Sequence, residues 1–306
     1  MKERLSFKYY HAKGDDMGKG NIVVVIGAAG MLGRDLVPVF EPAFERVVGL
    51  DLPDIDIGDI DSINKCLGRY REPVVIANLA AMTDVDGCET RVDEAYRVNG
   101  QGPANLAAFS ARNGHFLVQI STDYVFDGSK HSPYREDDER APMSVYGKSK
   151  EQGETRVRQV IPDRHCIVRT SWLYGPHGKN FVEAILGAAS QRDTLEVVDD
   201  QRGRPTYTQD LAEALVEICK RRLVGTYHVA NAGDATWYDF AVEILRRGGL
   251  SRVEVKPINT EKLGRPAPRP RYSVLDTSLF ERVTGMRLRP WQKALEHYFT
   301  KRRKGT

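Results

Sequence analysis

Hydrophobic positions along the chain follow two alternating periods. Residues 21–26 are a continuous, largely β-branched run that ends in glycine. Such a run predicts a strand buried on both faces. A helical period follows over Met31–Phe40, then a second strand over Arg46–Leu50 that ends at Asp51. The pattern continues with a helix over 59–70 and a strand over 73–78. Residues 90–113 give two helical stretches broken near Gly100 and Gly102. Strand 115–120, helix 146–160 and strand His165–Thr170 complete the alternation. Strands that alternate with helices predict parallel pairing, hence an α/β chain with a doubly wound parallel sheet.

Beyond residue 171 the period loosens. Phe181–Ala189 and 209–222 read as helices, and 225–231 as a strand returning to the sheet. Helix 236–247 has Asp234 or Thr236 as its cap. Residues 252–275 are rich in proline and arginine and predict an irregular loop against a smaller lobe; a last helix starts near Pro290. The expected organisation has three parts. Residues 1–20 form a polar, disordered extension in which Met17 offers an alternative start. Residues 21–170, joined by 209–235, form a Rossmann-like NAD(P)-binding domain. Residues 171–306 form mainly a smaller C-terminal substrate-binding lobe.

Composition narrows the classes. With 306 residues, 41% hydrophobic and 28% charged, the chain reads as soluble and globular. A net charge of +3 gives no reason to expect nucleic acid, and Lys301, Arg302, Arg303 and Lys304 read as a solvated tail. Cys66, Cys88, Cys166 and Cys219 contain no Cys-x-x-Cys pair, so they predict reduced thiols in a cytoplasmic protein and no zinc site. No apolar run suits a membrane span or a signal peptide.

Gly27-Ala28-Ala29-Gly30-Met31-Leu32-Gly33 joins the first strand to the first helix. A tight glycine turn lets a pyrophosphate approach the backbone, and the helix N-terminus offers free amides there. Asp51 stands where an acidic residue accepts a hydrogen bond from the adenosine ribose, which favours NADH. Arg34 is either a surface arginine or a partner for a 2′-phosphate, which leaves NADPH open. Asp56 and Ile57 either flank the adenine or form a helix-capping loop.

Tyr146 and Lys150 are four residues apart and share one helix face. A free tyrosine titrates near pH 10, and an ammonium one turn away stabilises the phenolate. Thr122 follows the strand 115–120, at the carboxyl edge where ligands of parallel sheets bind. Together they predict carbonyl reduction. Tyr146 supplies the proton, Thr122 orients the carbonyl, and Lys150 tunes Tyr146 and binds the nicotinamide ribose.

These features, with the segments 120–128, 169–175, 200–206 and 269–275 and with Tyr134, Glu136 and Asp138 between them, resemble the extended short-chain dehydrogenase/reductase superfamily. Within it they resemble the dTDP-4-dehydrorhamnose reductase family, over about residues 21–299. The resemblance implies that Thr122, Tyr146 and Lys150 are catalytic and that Ala80 and Ala81 line the cofactor. It further implies that Thr83, Val85, Asp123, Tyr124 and Trp172 meet the sugar, Asn99 supports the site, and Arg269 and Arg271 meet the diphosphate. The resembling 4,6-dehydratases carry Asp-Glu after the threonine, because eliminating water requires an acid and a base. This chain has Asp123-Tyr124, which disfavours dehydration.

The activity so implied is NAD(P)H-dependent reduction of dTDP-4-dehydro-L-rhamnose to dTDP-L-rhamnose, a precursor of cell-surface polysaccharide. Two alternatives stay open: another nucleotide-linked 4-keto-6-deoxy sugar, and a non-catalytic NADP-binding role resembling the regulatory subunit of methionine adenosyltransferase. A homodimer is common among such enzymes, and a dTDP-sugar is the expected partner. Some members associate Mg²⁺ with a subunit contact and often have glutamate where this chain has Asp35. Asp35 alone is a weak argument for magnesium.

Overall fold

The computed structural model of the chain describes residues 22–304. The extension expected over 1–20, with Met17, lies outside the described residues. The main elements are β1 (Ile22–Ile26), α1 (Met31–Phe40), β2 (Arg46–Leu50), α2 (Ile60–Leu67), β3 (Val75–Asn78), α3 (Gly102–Asn113) and β4 (Phe116–Thr122). They continue with α4 (Val145–Val160), β5 (His165–Thr170), α5 (Phe181–Ala189), β6 (Thr194–Val198), α6 (Thr208–Arg221) and β7 (Gly225–His228). The chain closes with α7 (Trp237–Arg247), β8 (Glu254–Ile258), α8 (Ser278–Thr284) and α9 (Trp291–Lys304).

Six parallel strands form the central sheet in the order β7-β5-β4-β3-β1-β2. β3, β4 and β5 are buried along their whole length, which is why they read as continuous runs rather than alternations. Leu32, Leu36 and Phe40 of α1 pack with Leu211, Leu215 and Ile218 of α6 in the apolar layer on one side. Ile63, Leu67, Leu106, Phe109 and Val157 belong to the layer on the other. From β1 the chain steps outward to β2, then returns to place β3 on β1's other side. The crevice at the carboxyl ends of β1 and β3 is therefore the topological switch point, where open α/β sheets bind ligands. A third apolar cluster draws on the C-terminal half, with Tyr174, Ile185, Leu195, Phe240, Trp291 and Tyr298 among its members.

The structure departs from the sequence pattern in three places and, at a fourth, selects one of two expected caps. Gly100 and Gly102 do not break the helix. Tyr96–Gln101 widens into a π-helical turn that runs straight into α3. A Cβ on Gly100 would collide with Gln152 of α4, so the glycine permits close packing rather than a stop. Residues 252–275 are not wholly irregular, because β8 pairs in parallel with β6 from Glu254↔Thr194 to Ile258↔Val198. This two-stranded sheet tolerates Pro257, and its exposed positions carry no apolar run. Thr236 caps α7 in a reciprocal capping box, whereas Asp234 pairs with Arg202. The basic end continues α9, where Arg302 pairs with Glu183.

One buried ion pair ties α4 to the sheet. Arg169 of β5 donates from Nε to Glu154 Oε1 at 2.8 Å and from Nη2 to Oε2 at 2.7 Å. Both side chains are 0% exposed. Arg158 adds a 2.9 Å contact to the same carboxylate. Burial pushes the Glu154 carboxyl up, but Arg169 and its neighbours outweigh it and hold the group below its ordinary value. Its stabilising contribution is thus present above about pH 4.5 and lost as pH falls through the lower folded value. Removing one partner strands the other charge, at a cost of about 3–5 kcal/mol. Arg169→Met is expected to lower unfolding free energy by that order at neutral pH. Urea titrations at neutral and acid pH should show the gap to the unmodified protein narrowing in acid.

Candidate active site

The glycine turn is fixed by the backbone around it. Gly27 takes φ +85°, in the left-handed region that favours glycine. Its amide and that of Ala28 donate to the Leu50 carbonyl at 2.9 and 3.1 Å. A Cβ on Gly33 would collide with the Gly27 carbonyl and with Ala28. Gly30 caps α1 without a side-chain hydrogen bond, and the first turn carries no acidic residue. The first-turn amides of Met31 and Leu32 therefore have no capping side chain, and the positive end of the helix stays open to an anion. A Cβ on Gly27 would lie 2.8 Å from the Ala80 nitrogen, so the turn meets the Ala80–Ala81 segment directly. This cradle fits the pyrophosphate of a dinucleotide.

Asp51 accepts hydrogen bonds from Ala29 N and Leu52 N, both at 2.8 Å, one on each oxygen. Each oxygen keeps a second lone pair for a ribose hydroxyl. Arg34 is exposed. The side chains of Asp56 and Ile57 are committed elsewhere. Asp56 accepts from Arg97 at 2.8 and 3.0 Å and from Gly58 N at 2.8 Å. Ile57 is buried, and a Cβ on Gly102 would collide with it.

Thr122 closes β4 and caps the turn Asp123–Val125. Its Oγ1 donates to Asp123 Oδ1 at 3.0 Å and accepts from Tyr124 N at 3.2 Å. Ser144 caps α4 through Gly147 N at 3.1 Å, and Glu89 accepts from Val145 N at 2.8 Å. A Cβ on Gly147 would strike the Tyr124 carbonyl, so α4 lies directly against that turn. The Tyr146 and Tyr124 rings meet edge to face with centroids 5.8 Å apart. Burial pushes the Tyr146 phenol up from its ordinary value, and the Thr122 hydroxyl opposes that shift.

Lys150 differs from expectation. Its Nζ donates to the Ile120 carbonyl at 2.7 Å, and burial lowers its pKa to about 8 against the pull of Glu154. Burial, not Lys150, dominates the Tyr146 phenol in this arrangement. The same carbonyl accepts from Gln119 Nε2 at 2.8 Å, Gln119 accepts from Asn78 at 2.8 Å, and Asn78 accepts from Ala80 N at 3.2 Å. Lys150 is thus linked to Ala80 through Gln119 and Asn78. Asn78 and Gln119 stand out in the sequence as polar residues beside buried apolar runs. Asn99 joins the segment after β3 to α4. It clamps Met82 through N–H and C=O at 2.9 and 3.0 Å and reaches Ser149 at 3.1 Å.

On the expected sugar side, Thr83 is exposed and Val85 half-buried at the head of the short helix Val85–Thr90. Tyr124 is half-buried and its phenol pushed up by burial. Three other side chains are otherwise engaged. Asp123 is 2% exposed and accepts from Thr122 and from Ser273 Oγ at 2.5 Å, so its carboxylate supports Thr122. Trp172, at φ +49°, stacks on Trp237 with centroids 3.5 Å apart and planes 6° apart, which covers one of its faces. Arg269 forks onto Asp86 with both contacts at 3.0 Å, and Arg265 approaches the same carboxylate at 3.4 Å. Arg271 is exposed, 4.0 Å from Glu261. Asp35 accepts from the Thr208 hydroxyl and lies 3.6 Å from His177. Among the described residues, no group of three His, Cys, Asp or Glu side chains is placed to hold a metal ion, and no helix is long and apolar enough to cross a membrane.

The model of the RmlD substrate binding domain matches residues 21–304. A dTDP-4-dehydrorhamnose reductase of Streptomyces griseus is 43% identical, over 90% of this chain and 92% of its own. A dTDP-4-keto-6-deoxy-D-glucose reductase of Streptomyces niveus is 40% identical over 90% and 96%. The crystal structure of dTDP-4-dehydrorhamnose reductase from Bacillus anthracis str. Ames in complex with NADP is 37% identical. It superposes with a TM-score of 0.88 over 92% of this chain and 100% of that one.

Burial of Lys150 offers a pH test of the expected contact between its ammonium and the nicotinamide ribose. Lys150 carries its proton below about pH 8 and loses it above. A cationic Lys150 is the better donor to a ribose hydroxyl. NADPH affinity, followed by its fluorescence, is expected to weaken as pH rises through that value. Lys150→Met should bind more weakly with no such slope.

Proposed function

The chain belongs to the family of the RmlD substrate binding domain, and on that premise we propose that it reduces the 4-keto group of dTDP-4-dehydro-L-rhamnose to give dTDP-L-rhamnose. The observation that carries this reading is the placement of Thr122, Tyr146 and Lys150 at the carboxyl end of β4, two strands from the glycine turn on β1. The reduced dinucleotide, bound by Gly27, Ala29, Gly30, Met31, Leu32 and Gly33 and by Asp51, Ala80 and Ala81, supplies a hydride to the carbonyl carbon. Tyr146 gives its phenolic proton to the carbonyl oxygen, so hydride and proton together make the alcohol. Burial keeps that phenol protonated at neutral pH, as a proton donor requires. Thr122, whose hydroxyl proton points to Asp123 Oδ1, lies beside the phenol and fixes where the carbonyl oxygen meets it. Lys150 holds the ribose and balances the phenolate once the proton has left.

The remaining contacts fit the same reaction. Tyr124 replaces the base that an elimination would need, and its phenol stays neutral. Thr83 and Val85 offer a rim for the sugar, and an exposed Arg271 is open to a diphosphate. Arg269 would join it only by exchanging Asp86 for phosphate. Asp51 suits a free ribose hydroxyl, whereas Arg34 beside the turn suits a 2′-phosphate. The NADP bound by the Bacillus anthracis protein supports use of NADPH alongside NADH. A second reading keeps the chemistry and changes the sugar to another dTDP-linked 4-keto-6-deoxy hexose, as the Streptomyces niveus relative's name suggests.

The test is the loss of reduced-nicotinamide absorbance when the protein meets dTDP-4-dehydrorhamnose with NADPH, repeated with NADH. A fall that depends on the sugar is expected with both. Tyr146→Phe should cut turnover by about 10²–10⁴-fold while NADPH affinity changes little. Undiminished turnover in that variant would remove Tyr146 from the mechanism. Inactivity of the unmodified protein on this sugar, with activity on another keto-sugar, would favour the second reading.

A further inference from the structure

We infer that Ser273 is a positioning residue for the reduction: through the buried Asp123 carboxylate it fixes the hydroxyl of Thr122. The inference rests on the functional reading above and adds a residue that neither the glycine turn nor the Tyr146–Lys150 pair would reveal. Ser273 Oγ donates to Asp123 Oδ2 at 2.5 Å, and Thr122 Oγ1 donates to Asp123 Oδ1 at 3.0 Å. Each hydroxyl thus holds one oxygen of a single carboxylate. Ser273 is itself 2% exposed. Its backbone is stitched down from two directions. Ser273 N donates to the Arg202 carbonyl at 2.8 Å, and Tyr134 N donates to the Val274 carbonyl at 2.8 Å. Asp276 N returns a bond to the Tyr134 carbonyl at 2.7 Å. The serine hydroxyl therefore reaches Asp123 from a fixed backbone.

Electrostatics make the serine matter. Among the described residues no cation touches the Asp123 carboxylate. The titratable groups facing it are Tyr124 on its own turn and Tyr146 on α4, both held neutral by burial. Arg269 and Asp86 act on Tyr124, and they neutralise each other. Hydrogen bonds alone therefore favour the ionised form of Asp123, against a burial that pushes its pKa up to about 6. An ionised carboxylate only accepts, so both hydroxyls donate to it and each has one orientation. A protonated carboxyl donates one bond itself, which gives the Thr122 hydroxyl a second orientation and loosens the phenol beside it. The active form is the ionised one, and Ser273 extends the pH range over which it persists.

The experiment compares Ser273→Ala, Ser273→Thr and Asp123→Asn with the unmodified protein. The Asp123 carboxyl is titrated by ¹³C NMR, with Asp123→Asn assigning its resonance, and kcat for dTDP-4-dehydrorhamnose is measured across pH. In Ser273→Ala the Asp123 titration and the acid limb of kcat should both move to higher pH. Turnover near the original limb should fall about tenfold, and KM for NADPH should stay unchanged. Ser273→Thr should restore both, and Asp123→Asn should show no acid limb from this group. A Ser273→Ala loss that is equal at every pH, or that threonine does not rescue, would make Ser273 merely structural and overturn the inference. So would a moved carboxyl titration with an unmoved kinetic limb. If the unmodified protein does not reduce the sugar at all, the functional reading fails; an unmoved Asp123 titration would then overturn the coupling as well.

Discussion

The candidate site depends on the buried pair between Glu154 and Arg169. Helix α4 carries Tyr146, Lys150 and Glu154 at four-residue intervals, so all three lie along one face. That face is polar, and apolar burial alone would not fix such a helix against a sheet. Arg169 does so from β5 with two charge-assisted bonds to a carboxylate that has no exposure to solvent. Buried pairs of this kind add little net stability compared with apolar packing, but they accept only one geometry. Gly147 and Gly153 complete the fit, since a Cβ on either would collide with the backbone of Tyr124 or Asn99. Position along the sheet, depth and rotation of α4 are thereby set together, and with them the positions of the phenol and the ammonium.

Around this helix, single acceptors are shared between donors from different elements. The Ile120 carbonyl takes both Lys150 and Gln119, and Gln119 leads through Asn78 to Ala80 beside the glycine turn. Asp123 takes both Thr122 and Ser273. Both junctions lie at the carboxyl end of β4, where a parallel sheet leaves its last backbone groups facing the ligand crevice. A strand end is a good place for such junctions. Its backbone is held by ladder bonds on one side while its side chains leave the sheet on the other.

The legible part of this arrangement was the part written in local pattern. β1, β2, β5 and the glycine turn follow from short apolar runs and from glycines, because each is decided within a few residues. The spacing of Tyr146 and Lys150 is decided by one helical turn. What the sequence hid was partnership over long separations. Arg269 presents a phosphate-binding fork, but Asp86, far away in the chain, already fills it. Trp172 offers a flat apolar face, yet Trp237 covers it. Asp123 also takes a bond from Ser273, brought in from a loop that composition alone made irregular. β6 and β8 escaped notice for a related reason: a two-stranded sheet with exposed positions needs no apolar run and tolerates a proline.

Burial decides the direction of the proton chemistry at α4. A tyrosine beside a lysine suggests a lowered phenol pKa and a ready phenolate, which would serve as a base for oxidation. The structure gives the opposite resting balance. Burial raises the Tyr146 phenol and lowers Lys150 to about 8, since both charged forms lose hydration. The protein therefore meets its ligands with the phenol protonated, which is the state a reductase needs. Charge brought in by a bound dinucleotide favours the ammonium form of Lys150, and the ammonium in turn favours the phenolate left after proton transfer. On the proposed mechanism the pair is a proton donor before the reaction and a stabilised anion after it, with the change driven by what binds rather than by the spacing of two residues.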